Sequence, residues 1–169
     1  KYDTQYSTNS VIAKVRDRYI QDMANEKDPK LISALNLIKN WNLSADSSNT
    51  AAALAIIVLP NAFNEDDLKY ETGAITRKLV ETIDYFDNKF GRIDVPLGKV
   101  LRLVRGETNL PLSGGPGLLR AIYFKKKNDT YVGIAGDCYF QAVEWGPNGE
   151  LNAWTIHQYG SATAIESSI

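Results

Sequence analysis

The sequence predicts an α+β fold, with helices in the N-terminal half and antiparallel strands in the C-terminal half. Three observations predict it. Apolar residues recur at helical spacing through most of the first ninety or so positions, glycine and proline break every periodicity over residues 92–117, and two aromatic, β-rich runs, 131–145 and 150–159, flank Gly146-Pro147-Asn148-Gly149. Helices first and strands last indicate segregated layers rather than alternating α/β units. A chain of 169 residues is long for one small domain and short for two, so one folding unit is expected: 1–91 mainly helical, 92–117 an ordered connector, 118–169 antiparallel strands.

In order, residues 10–25 carry Val11, Val15, Tyr19 and Met23 at steps of four, with Ile12 and Ile20 beside them, which is one face of an amphipathic helix. Asp28-Pro29 then supplies an N-cap and a proline at the first helical position. Leu31, Ala34, Leu35, Ile38 and Trp41 form the apolar face behind it. Residues 42–49 are polar and end in cap-forming side chains, after which 50–59 is apolar almost all round until Pro60 stops it. That third helix should be central. Glu65-Asp66-Asp67 places carboxylates where a helix N-terminus favours them, and Ile75, Leu79, Ile83, Phe86 and Phe90 continue a helical face to Gly91.

Beyond the connector, residues 118–124 read as a strand that leads into the hairpin. The Gly-Pro-Asn-Gly joint tolerates positive φ and contains a proline that cannot serve in a ladder, so the chain must reverse there. In the first run Tyr139, Gln141, Val143 and Trp145 point one way and Phe140, Ala142 and Glu144 the other. Neither face is cleanly polar, which predicts a sheet covered on both sides. The rest of the chain is too short to cover both generously.

Composition excludes several classes. Hydrophobic residues at 44% and charged residues at 23% are ordinary globular values, against disordered and fibrous chains. A net charge of −1 argues against a nucleic-acid partner, and Lys125-Lys126-Lys127 beside Asn128-Asp129 reads as a solvated turn. The longest apolar run is far below the ~20 residues of a membrane span. The lone cysteine permits no internal disulfide, and the chain opens at Lys1 without a signal peptide, as expected of a trimmed or excised piece.

Candidate chemistry is sparse. Ser113-Gly114-Gly115-Pro116-Gly117 lacks the Lys-Ser/Thr of a phosphate loop, and one histidine, one cysteine and scattered carboxylates give no metal-ligand spacing. No cofactor and no metal site are expected. The sharpest pair is Cys138 with His157. If Trp145 opposes Glu150 across a four-residue loop, Cys138 faces His157 with Cβ atoms ~5 Å apart, the reach of a nucleophile and its general base. The competing reading is a small buried cysteine on a strand.

Four stretches in order resemble the penicillin acylase family. Leu35 through Trp41-Asn42 with Ser44-Ala45-Asp46-Ser47 is similar to its "L…W…A.DS" segment. Val95-Pro96-Leu97-Gly98-Lys99-Val100 followed by Leu110-Pro111-Leu112-Ser113-Gly114-Gly115 is similar to its "VPWG…LPLSGG" segment. Gly136-Asp137-Cys138-Tyr139 with Val143-Glu144, and Gln158-Tyr159-Gly160-Ser161, resemble its paired strands. The likeness runs from about Leu31 to the end, with Leu97 where a tryptophan is usual and Cys138 where serine or threonine is common.

The resemblance implies an N-terminal-nucleophile amidohydrolase whose precursor cuts itself into α and β chains. The β chain then begins with a serine activated by its own α-amino group, aided by an asparagine side chain and backbone amides at the oxyanion. Those residues lie upstream of the matching stretch. The chain is therefore expected to be a non-catalytic C-terminal segment of the β chain, supplying scaffold to an αββα sandwich, with the remainder of the β chain and the α chain as partners. A periplasmic or secreted parent is implied, and the isolated segment is expected to self-associate. The competing functional reading is a stand-alone module that captures a peptide or partner strand with the connector and the hairpin edge.

Overall fold

The computed structural model describes residues 2–61, 70–136 and 139–156, and it is α+β, with helices in the N-terminal half and strands in the C-terminal half. The helices are α1 (Val11–Asp22), α2 (Pro29–Lys39), α3 (Ala52–Val58), α4 (Thr72–Phe90) and the single turn α5 (Leu97–Val100). Their limits follow local chemistry. Asp28 accepts the Lys30 amide at 2.8 Å ahead of Pro29, and Gly91 ends α4 in the left-handed region at φ 69°. Every residue of α3 is buried, and the helix packs against α2, α4 and α5. It is central, as its uniform hydrophobicity requires. Glu65, Asp66 and Asp67 lie outside the described residues.

The strands are β1 (Leu101–Arg105), β2 (Thr108–Pro111), β3 (Tyr123–Lys127), β4 (Thr130–Ala135), β5 (Phe140–Trp145) and β6 (Leu151–Ile156). They make a four-stranded sheet of order β2-β1-β4-β3 and a separate pair, β5-β6. Tyr85 of α4 joins the helices to the larger sheet. Its ring meets Tyr131 at 5.7 Å, Tyr131 meets Phe124 at 5.7 Å, and the Tyr85 hydroxyl donates to the Asp129 carbonyl at 2.7 Å. Burial, reinforced by the neighbouring Tyr131 and Asp129, pushes the Tyr85 phenol up to about 12.

Several expectations need correction. The connector is not irregular throughout: it contains α5, β1 and β2. Gly106, at φ 54°, makes the tight turn between Arg105 and its partner Thr108, so that residue closes a hairpin rather than breaking structure. The strand expected over 118–124 begins only at Tyr123. Lys125, Lys126 and Lys127 are not in a turn but in β3, and the turn is Asn128-Asp129, with φ 43° and 59°, the two-residue type that right-twisted strands favour. One pairing is parallel, β1 with β4 at Leu101↔Tyr131 and Arg102↔Val132, because the crossover from β2 through residues 112–122 carries the chain to the opposite end of the sheet, so that β3 runs as β2 does and β4, after the reversal at Asn128-Asp129, runs as β1 does.

The run 131–145 is two strands in different sheets, β4 ending at Ala135 and β5 starting at Phe140. In the β5-β6 hairpin Trp145 opposes Leu151, not Glu150. The Gly146 amide donates to the Glu150 carbonyl at 2.8 Å, which draws Glu150 into the loop and shifts the register by one residue. Nor is this pair covered on both sides. Residues 141–145 and 151–155 are all exposed, with Trp145 at 72%, Leu151 at 61% and Trp154 at 58%.

Candidate functional site

The densest convergence of sequence motifs is a junction behind the larger sheet. It gathers the loop 44–49, the segment 95–98 and the segment 111–117, stretches remote from one another along the chain. The Gly114 amide donates to the Ala45 carbonyl at 2.8 Å, and the Ser47 amide to the Ser113 Oγ at 2.9 Å. The Gly98 amide donates to the Ser47 carbonyl at 2.8 Å and the Leu97 amide to the Asn49 carbonyl at 3.0 Å. Buried loop backbone must find such partners, so these contacts define which loops can lie together.

Local sequence prepares each piece. The Asn49 side-chain oxygen accepts the amides of Ala51 and Ala52 at 3.0 Å each, which caps the start of α3. Asp46 accepts the Ser48 amide at 2.9 Å and the Ser48 hydroxyl at 2.7 Å. Those hydrogen bonds, the amide's first, hold the Asp46 carboxyl below its ordinary value. The Trp41 indole donates to the Ser44 carbonyl at 2.9 Å, fixing the entry to the loop.

Two glycines are set by space. A Cβ on Gly98 would stand 2.7 Å from the Pro111 Cβ and 2.8 Å from the Ser47 Cβ. One on Gly115 would stand 2.5 Å from the Tyr6 hydroxyl. These positions admit no side chain without movement of their neighbours. Leu97 is 1% exposed and sits in this packed layer.

Tyr6 and Asn61 complete the junction, and sequence reasoning missed both. The Tyr6 hydroxyl donates to the Pro116 carbonyl at 2.8 Å and the Asn61 amide to the same oxygen at 2.5 Å. Burial raises the Tyr6 phenol pKa well above its usual value, so the group stays a neutral donor. Asp3 pairs with Arg120, and the Arg120 amide donates to the Asp3 carbonyl at 2.9 Å. The only signal in the sequence was that isolated aromatics in aperiodic segments seek distant partners.

The polar side chains of the three loops are used largely within the junction itself. The Ser113 hydroxyl accepts a backbone amide, and the Ser47 side chain faces the backbone at Gly98. Among the described residues no three His, Cys, Asp or Glu side chains converge as a metal site would need. Elsewhere, a shallow groove of about 490 Å³ along α4, lined by Thr76 and Val80 among others and by Met23 just beyond the end of α1, is predominantly apolar. Cys138 and His157 lie outside the described residues. The register from which their opposition was counted, Trp145 against Glu150, is not the one adopted. No family model and no curated protein matches the chain.

Proposed function

We propose that this chain is the non-catalytic C-terminal segment of a penicillin-acylase-like amidohydrolase. The parent would hydrolyse a non-peptide acyl-amide C–N bond through an N-terminal serine that lies outside the chain, in the periplasm or outside the cell. The observation that supports this reading most is the junction. The segments Ala45-Asp46-Ser47, Val95-Pro96-Leu97-Gly98 and Leu112-Ser113-Gly114-Gly115, distant in sequence, carry the resemblance and are hydrogen-bonded to one another. Segments that serve one packing arrangement would look like this, with glycines where space forbids a Cβ. In this role the segment braces the parent's catalytic sheets rather than touching substrate, and the open hairpin offers its apolar faces to the remainder of the β chain and to the α chain.

The test is reconstitution. The reading frame containing Lys1 is expressed with its upstream sequence, the N-terminal residue of the mature chain is determined, and release of a chromogenic amine from acyl-amide substrates is followed. A mature serine terminus upstream, with activity lost on its replacement by alanine, is the expected result. A frame that opens at Lys1, or activity indifferent to that serine, would defeat the reading.

A second reading is favoured by one observation, the uncovered β5-β6 pair. A stand-alone module could capture an extended peptide along that edge. Titration of the 169-residue chain with extended apolar peptides, read by the fluorescence of the exposed tryptophans, separates the two readings.

A further inference from the structure

The two sheets of this protein treat their edges differently. In the larger sheet, one edge strand is β3, with Lys125, Lys126 and Lys127 in succession, and the other is β2, four residues long and ending at Pro111. Consecutive lysines, shortness and proline are devices that keep an edge from pairing with another chain. The small sheet has none of them. β6 reads Leu-Asn-Ala-Trp-Thr-Ile, six residues without charge, proline or glycine, and β5 carries only Glu144.

The phase of the ladder fixes which backbone groups of β6 face outward. The Gly146–Glu150 hydrogen bond starts the pairing, so Glu144↔Asn152 and Ala142↔Trp154 are the hydrogen-bonded pairs by alternation. Leu151, Ala153 and Thr155 therefore turn their amides and carbonyls away from β5, and these groups have no partner among the described residues. A two-stranded sheet exposed on both faces is marginal in water, and no further strand joins it among the described residues.

We infer that the outer edge of β6 is a self-complementary dimerisation edge whose occupant is β6 of a second copy of this chain, antiparallel to it. Placing a two-fold axis beside Ala153 sets Ala153 against Ala153 of the second copy. Leu151 then meets Thr155 of the second copy, and Thr155 meets Leu151 of the second copy, so every outward amide meets an outward carbonyl. The contact is isologous and closed, giving a continuous sheet β5-β6-β6-β5 rather than a filament. Charge selects this edge: two copies of β3 would oppose lysine to lysine, whereas two copies of β6 bring no charge together. This inference does not depend on the acylase reading and would stand if that reading failed.

The test uses charge at the axis. Sedimentation equilibrium of the 169-residue chain over a concentration series should show a dimer that dissociates on dilution. Ala153→Lys and Ala153→Glu each set like charges face to face, and each should be monomeric. An equimolar mixture of the two should dimerise again. Ala153 is in a non-hydrogen-bonded pair with Val143, so neither substitution removes a β5-β6 hydrogen bond, and amide-exchange protection of Ala142 and Trp154 in each variant verifies that the hairpin persists. A monomeric wild-type chain, a dimer indifferent to Ala153→Lys, association that grows without limit, or failure of the mixture to re-form a dimer with the hairpin intact would each overturn the inference.

Discussion

Gly98 shows how one residue can couple three loops. Its amide reaches the Ser47 carbonyl, its carbonyl accepts the Arg102 guanidinium at 2.7 Å, and its missing side chain lets Pro111 and Ser47 close over it. Gly98→Ala adds one methyl where the nearest carbons would be 2.7 and 2.8 Å away. The expected result is a loss of roughly 2 kcal/mol, the scale of overpacking in a tight interior, read as a lowered urea midpoint with unchanged slope. A midpoint equal to wild type would mean the junction is plastic. Composition alone does not separate this glycine from Gly91, which has nothing within 4 Å of a built Cβ and serves only a left-handed helix end. The motif around Gly98 was legible, but the atoms that require it come from Ser47 and Pro111, which the chain brings together only when folded.

Among the elements, helices were legible because their signals are local. Asp28 and Pro29 start α2, and Gly91 ends α4, at the positions their chemistry dictates. Asp28→Ala removes the acceptor for the Lys30 amide and should cost about 1 kcal/mol, while Asp28→Asn or Asp28→Ser should retain most of it. Thermal unfolding of the three variants measures this, and an alanine variant as stable as the asparagine one would show that water replaces the cap fully. Strands were less legible. Lys125-Lys126-Lys127 has no strand-like composition, yet β3 exists because Tyr123 to Lys127 can pair with β4 across a two-residue turn, with Phe124 turned to Tyr131, which in turn meets Tyr85. The register of β5-β6 was missed by one residue because turn composition admits loops of several lengths, and one backbone hydrogen bond, Gly146 to Glu150, selects among them.

At the scale of the whole molecule, burial is uneven. The helices and the larger sheet share one core around Tyr19, Leu54, Leu79 and Phe86, while the β5-β6 pair contributes nothing described to it. The tryptophans report this division: Trp41 is 2% exposed, against 72% for Trp145 and 58% for Trp154. Acrylamide quenching of the chain at low concentration should therefore resolve a quenchable fraction from Trp145 and Trp154 and a protected one from Trp41. Trp41→Phe should abolish the protected fraction. Uniform protection of all three tryptophans in a monomer would show that the hairpin packs back on the body. The sequence by itself determined the order of helices before strands, the caps, the central buried helix and the reversal at Gly146-Pro147-Asn148-Gly149, because each depends on neighbours a few residues away. Only the tertiary structure decided the split of residues 131–145 between two sheets, the parallel contact of β1 with β4, the hairpin register, and the recruitment of Tyr6 and Asn61 to the Pro116 carbonyl. Those features satisfy backbone groups and space constraints set by residues far away in the chain, and no local pattern records which distant partner will satisfy them.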